Sequence, residues 1–301
     1  MGPKLIDMRK TLHRLGAGGK KSLRDGVVSR LGGELDPSRV ANGEDLGMFG
    51  PQSSAWVIHA DACLIIGGVA ALLHQMLHPL AMAGVADHSS YRTDPWGRLH
   101  RTSSFLAEVI YGDSTTAKSH IEHVKNIHTR IKGTAPDGRP YRADDPVLLE
   151  YIHVTEVRAF LRSYQRYGAS TITQEAADRY VAEMGIIAKG LGALDVPMTV
   201  RELDAKIESY TPSLSRGVQA AEALQFLRNP GLTLLERGAY QIIFDAAAAL
   251  LEQKEAELLG VERERRRGAW RIGGQGAAGA FRWVLGPSPV VQAARRRTGN
   301  A

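Results

Sequence analysis

A chain of 301 residues, 44% hydrophobic and 23% charged, has the composition of a globular protein with a sizeable core. Its single cysteine, Cys63, excludes an intrachain disulfide framework, zinc ribbons, cysteine-ligated iron–sulfur clusters and CxxCH haem attachment; it suits a reducing compartment, so a cytoplasmic protein is expected. The net charge of +6 sits at one end: Glu262 to Ala301 carries 9 Arg against 2 Glu, while the rest holds 29 basic and 30 acidic residues. A neutral body with a basic tail argues against specific nucleic-acid binding and leaves the tail at most a weak attraction to anionic surfaces.

The start, MGPKLIDMRKTLHRL, is basic and amphipathic but has no long apolar run or AxA-like site, which predicts no secretory signal. Ser53 or Ser54 is placed to cap a helix through Trp56 and His59 that continues to about His78–Pro79. The apolar stretch Ala62 to Ala86 is interrupted by His74, Gln75, His78 and Pro79, so it predicts a buried helix pair rather than a membrane span. Asp94-Pro95 opens a helix that stops at Gly112. Another is predicted from Ser114 to Gly133, followed by a Pro-Asp-Gly turn at 136–138. Asp145-Pro146 begins a long helix closed by Gly168, Thr173 caps the next, and Thr199 with Glu202 forms a capping box. Two more helices are predicted over Arg216–Arg228 and Leu234–Leu259. The expected class is all-α, one helical domain at 46–260, with an N-terminal arm at 1–45 and a basic Gly/Ala/Arg-rich tail at 261–301, both flexible.

Two helices carry anomalies. On the 114–133 helix, Ala117, Ile121, Val124 and Ile131 lie within roughly 60° of His128 at about 100° per residue, so an imidazole sits in an apolar stripe. Its nitrogens need partners, either a backbone carbonyl or water, or a metal, for which neutral imidazole is the commonest ligand. On the 95–111 helix, Arg98, Arg101 and Thr102 begin a stripe that ends in Phe105 and Val109. Either the arginines snorkel to solvent, or paired guanidinium groups hold an anion. An imidazole helix facing a guanidinium helix is an arrangement for a flat metallocofactor with acidic side arms, such as haem b.

Four segments in order, SSAWVIHADACLIIGGVAALLHQMLHP, DPWGRLHRT, VKNIHTRIKG and YRADDPVLLEYIHVTEV, resemble the haem-dependent oxygenase family that includes the rubber-cleaving latex clearing protein and the MpaB-type oxygenases. The resemblance implies a globin-like core and makes His128 the proximal ligand of a haem b iron. It implies Arg98 and Thr102 on the distal side and cofactor periphery. In the rubber-cleaving branch the residue before that threonine is a lysine; here it is Arg101, which has no lone pair for a metal and becomes a hydrogen-bond donor to bound oxygen at an open distal site. Arg98 and Lys132 are expected to pair with propionates, and Thr102 to act with Arg101 as the catalytic pair. The implied partners are dioxygen or peroxide and a small organic substrate.

His59, in a block shared with the family, either contacts haem or ties its helix to a backbone group. Gln75 and His78 either face a common site or leave His78 to cap a helix end. His120 and His123 point away from the His128 stripe and read as solvated. His153 is a reserve axial ligand or a core histidine, and Cys63 is core. Asp87 offers no convincing position for a catalytic base. Glu150 with His153 gives one Glu-x-x-His copy where a di-iron bundle needs two, and a two-histidine-one-carboxylate iron site stays open. A non-catalytic haem-binding protein or a helical interaction protein is the alternative to an enzyme.

Overall fold

The computed structural model describes residues 35–232, 234–262, 274–276, 278–280, 282–283 and 286–299. The chain passes through α1 (Ser38–Ala41), α2 (Ser54–His59), α3 (Leu64–Gln75), α4 (Pro79–His88), α5 (Pro95–Tyr111) and α6 (Ser114–His128). A hairpin of β1 (Lys132–Thr134) and β2 (Pro140–Arg142) follows. Then come α7 (Pro146–Tyr167), α8 (Gln174–Leu191), α9 (Val200–Tyr210), α10 (Val218–Arg228), α11 (Leu234–Ala248), α12 (Gln253–Leu259) and α13 (Pro289–Arg297). The architecture is helical, as the punctuation predicts.

Most starts are set by one side chain. Ser53 accepts from the Trp56 N–H at 3.1 Å, Asp94 from Gly97 at 2.9 Å, Asp145 from Val147 at 2.8 Å and Thr173 from Ala176 at 3.2 Å. Each such cap contributes about 1 kcal/mol. Glu202 reaches back to the Met198 N–H at 2.8 Å, so the capping box at Thr199 closes one residue earlier than expected.

The centre is α3 laid against α7, with α11 covering α3 and with α8 and α9 flanking α7. Close approach depends on Gly67: a Cβ there would lie 2.8 Å from Phe160 and 3.2 Å from the Ala159 carbonyl oxygen, whereas one on Gly68 would meet nothing within 4 Å. Gly67→Ala is therefore expected to destabilise by about 1–3 kcal/mol through overpacking. Gly68→Ala should stabilise by up to about 1 kcal/mol through helix propensity. Urea unfolding of the two variants checks the opposite signs.

A buried ionic knot ties α3, α7 and α12 together. Arg158 donates to Glu255 at 2.6 Å and to Nδ1 of His74 at 2.9 Å. Glu255 also lies 3.1 Å from Nε2 of His74, without the direction of a hydrogen bond. The Tyr151 hydroxyl donates to the His74 carbonyl at 2.8 Å. Burial holds His74 neutral, its pKa lowered to about 3 against the opposing pull of Glu255.

Five expectations change. The helix predicted over 54–79 breaks after His59, because Asp61 accepts from the Cys63 N–H at 2.8 Å and the Ala169 N–H at 2.9 Å and pairs with Arg282 at 2.9 Å. The segment 234–259 is likewise two helices, split where Glu252 and Glu255 make a capping box. The helix expected to end at Gly133 stops at His128, and Gly133 belongs to β1, where a Cβ would collide with the Tyr141 ring. His78 caps the start of α4, accepting from the Ala81 N–H at 3.5 Å, rather than the end of the helix before it.

Finally, the region read as a flexible tail contributes to the body. α13 buries Val290, Val291, Ala293 and Ala294 against α1 and α5, and Arg297 donates to the Tyr111 carbonyl at 2.7 Å. Residues 1–34, most of the expected arm, and the Arg-rich stretch 263–273 lie outside the described residues. No described helix is long and apolar enough to cross a membrane; α3 and α4 pass that test only as a pair, bent by 108°.

Candidate functional site

α5 and α6 run as neighbours, and their inward residues carry the chemistry. Asp94 and Pro95 start α5 so that Arg98 falls one turn in. From there Phe105 is half-buried and Val109 fully buried along the same face. Arg98 is half-buried and, among the described residues, makes no hydrogen bond or ion pair. Burial lowers its pKa, the Tyr91 hydroxyl nearby partly offsetting this and Arg101 adding to it. A guanidinium held in that setting without a counter-ion is costly, and its five N–H donors suit a carboxylate.

The other two members of the predicted stripe turn outward. Arg101 is exposed and donates to Ser90 Oγ at 2.9 Å and to Asp94 Oδ2 at 3.4 Å. Thr102 is exposed and gives its hydroxyl proton to the Arg98 carbonyl at 3.2 Å. The helical wheel placed these residues together; the surface boundary runs between Arg98 and its two neighbours.

On α6, Asp113 caps the helix, Ala117 and Ile121 are buried, and His128 is the last helical residue. His128 is half-buried. Its Nδ1 is sealed in protein with no hydrogen-bond partner, so the carbonyl or carboxylate expected there is missing. Nε2, which forms no hydrogen bond either, is the nitrogen left with accessible surface. Burial lowers the pKa, with Asp144 opposing, and keeps the ring neutral with a lone pair to offer. Lys132 lies beyond the end of α6, exposed on β1, rather than one helical turn past His128.

His59, at the end of α2, is half-buried and hydrogen-bonds through Nε2 to the Tyr180 hydroxyl at 3.0 Å. Its ring stacks edge-on against Phe160 at 5.2 Å. Burial lowers its pKa to about 3. His153 on α7 has a sealed, partnerless Nε2 and a pKa lowered by burial to about 4. Gln75 donates to the Ile152 carbonyl at 3.2 Å and so does not share a site with His78. His120, expected to be solvated, pairs at 2.9 Å with Glu108, a buried carboxylate that Arg39 also binds at 2.6 Å. Asp87 accepts from the Tyr141 hydroxyl at 2.6 Å. Cys63 is buried, as expected of a core residue.

Glu150 turns to Tyr210 at 2.9 Å and Lys206 at 3.0 Å, away from any joint role with His153. Among the described residues no three His, Cys, Asp or Glu side chains gather for a metal ion. A group that brings its own equatorial ligands asks for less: one neutral imidazole and a cation for its acids. His128, with no hydrogen bond at either ring nitrogen, and the uncompensated Arg98 meet that requirement.

The acid response follows from the interior imidazoles. His59, His74 and His153 have folded pKa values below the ordinary 6.5, so the unfolded chain binds more protons below that pH. Their contribution is complete above pH 6.5 and is lost as pH falls toward 3–4, at up to about 1.4 kcal/mol per pH unit each. Glu156, its carboxyl raised by burial to about 7, opposes one of them between pH 4.5 and 7. The cofactor-free protein should lose on the order of 1–2 kcal/mol per pH unit between pH 6.5 and 5, read from urea midpoints across that range.

A helical body with a neutral, unpartnered interior imidazole and an unpaired interior guanidinium defines a cofactor- or substrate-binding helical protein. The family described as ER-bound oxygenase mpaB/B'/Rubber oxygenase, catalytic domain, matches residues 56–284, well over half of the chain, and the protein belongs to it. The match passes the boundary expected at 260 and takes in Arg282, which pairs with Asp61. No individually characterised protein and no solved structure gives a match.

Proposed function

We propose that the chain is a haem b-dependent oxidoreductase, an oxygenase using dioxygen or peroxide on a small organic substrate. Membership of an oxygenase family supports the reaction class. The observation that carries the cofactor is His128, a neutral imidazole without a hydrogen bond whose sole accessible ring nitrogen is Nε2. In this reading Nε2 of His128 holds the iron. Arg98 binds a propionate, since a buried guanidinium lacking a counter-ion is stabilised most by a carboxylate. Bound haem would supply the redox chemistry that activates the oxidant.

The protein's share is orientation and polarity. α5 and α6 hold Arg98 and His128 on adjacent helices, and the apolar residues behind them keep bulk water away. Thr102 offers a hydroxyl beside Arg98, whereas Arg101 acts toward a ligand only after releasing Ser90 and Asp94. Lys132 and His59 remain contacts for the cofactor's edge. Arg282 and Arg297 are engaged within the fold, which weakens the case for the C-terminal arginines as an anionic-surface patch.

The test is the absorption spectrum of protein purified after expression with iron and a haem precursor. A Soret band with one haem per chain supports the reading, and dioxygen uptake with a reductant or organic substrate then separates enzyme from carrier. Colourless protein that also fails to take up added haemin sinks it.

A further inference from the structure

α7 carries an interior carboxyl that the foregoing chemistry does not use. Glu156 lies one turn after His153 and one turn before Phe160, so these three share a helical face. Glu156 has no hydrogen bond or ion pair among the described residues, yet it is surrounded by protein and keeps some accessible surface. Its oxygens, absent from the sealed polar atoms, therefore face an interior space rather than bulk solvent. An apolar setting without a cation favours the neutral acid, and the pKa rises to about 7.

Around it stand Tyr180 and Glu183 from α8, His59 from α2, Tyr111 from α5, Cys63 before α3 and His153 on α7 itself. Glu183 is occupied by the Ala55 N–H at 2.7 Å, and Tyr111 by the Trp56 carbonyl at 3.3 Å. The charged residues of α9 serve the opposite side of α7, Lys206 binding Glu150 and Asp204 facing Arg162 at 3.5 Å. That leaves the hydrogen-bonded pair Tyr180–His59, at 3.0 Å, as the nearest polar wall. Tyr180 is fully buried, and the charge of Glu156 helps to raise its hydroxyl pKa, which burial raises most.

We propose that Glu156 is the acid–base residue of this interior space, trading a proton with an oxygen atom of a ligand bound there, while Tyr180 and His59 position it. The proposal deepens the oxygenase reading and rests on it for the reaction served. In the forward direction the Glu156 O–H bond breaks as an O–H bond forms on the ligand oxygen, leaving a carboxylate. The reverse step returns that proton, and no oxidant or reductant is consumed. The ligand class is a largely apolar molecule with one basic oxygen, such as a carbonyl or hydroxyl, because the surrounding wall offers a single protonated acid and no cation.

Infrared difference spectra of the whole protein across pH 5 to 9 test this without haem. The carbonyl stretch of a protonated carboxylic acid should persist at pH 6, fade through neutrality, and be missing from Glu156→Gln. Tyr180→Phe should keep the band and slow its exchange in heavy water by about tenfold or more. In haem-loaded protein, Glu156→Gln should retain the Soret band and lose the near-neutral limb of the pH profile of oxidant consumption. An acid band surviving in Glu156→Gln, or an unchanged pH limb at full haem content, overturns the proposal. Failure to form any Soret band instead overturns the haem reading, and the infrared arm still decides whether Glu156 holds the proton.

Discussion

His128→Ala is expected to leave a folded protein that no longer holds haem in a fixed ligation. The side chain is half-buried at the end of α6, where Thr129 and the hairpin already terminate the helix, so little of the fold depends on the ring. Removing it takes away one nitrogen sealed without a partner, a feature that costs on the order of 1–3 kcal/mol in the cofactor-free state. The haem-free variant should therefore be as stable as the parent or slightly more so by urea unfolding. Haem content should drop to background, and added haemin should give only the broad spectrum of nonspecific uptake. Imidazole supplied in solution should restore a ligated spectrum, because the space vacated on the Nε2 side is kept. An unchanged haem content and spectrum in His128→Ala would remove this residue as the iron ligand.

The second large effect is expected at the knot of His74, Arg158 and Glu255. Glu255→Ala leaves the Arg158 guanidinium, 7% exposed, without its 2.6 Å carboxylate. Breaking one partner of such a pair costs about 3–5 kcal/mol, because the remaining charge stays desolvated. It also opens the capping box at the start of α12, where Glu255 accepts from the Glu252 N–H at 3.0 Å. The melting temperature should fall by on the order of 10 °C. Replacing both partners with apolar residues of like volume should do less harm than either single change. A single variant as stable as the parent would show that the charges are solvated in solution.

Much of the helical frame is written locally. Asp94-Pro95 with Gly112, Asp145-Pro146 with Gly168, and Thr173 each place a boundary that depends on residues within one turn. Breaks caused by distant partners are not legible this way. Asp61 interrupts the predicted 54–79 helix because Ala169 and Arg282, far along the chain, bind its carboxylate. The hairpin is hidden because its strands are three residues long, too short to show alternation. Gly133 looks like a helix stop, yet it is small because the Tyr141 ring lies over it.

The candidate site divides along the same line. His128 and Arg98 announce themselves as polar residues in apolar stripes. Arg101 and Thr102 share the wheel sector of Arg98, but the curvature of the body decides which of them reach the inside. Glu156 carried a usable signal: in IHVTEVRAF it shares a face with His153 and Phe160, a carboxyl where an oily residue is expected. Tyr180 carried none, since its role appears only when α2 and α8 meet. α13 was also readable in principle, with Pro289 at the first position and apolar residues at 290, 291 and 294.

Because α13 clasps α1 and the Tyr111 end of α5, the two extremities of the folded body are stitched to each other. Force or heat applied at either end must unpick that seam before it reaches the helices bearing His128 and Arg98. A protease that clips after residue 286 would therefore loosen the N-terminal side as well, although dozens of helical turns separate the two in sequence. The molecule is held shut like a ring with a clasp.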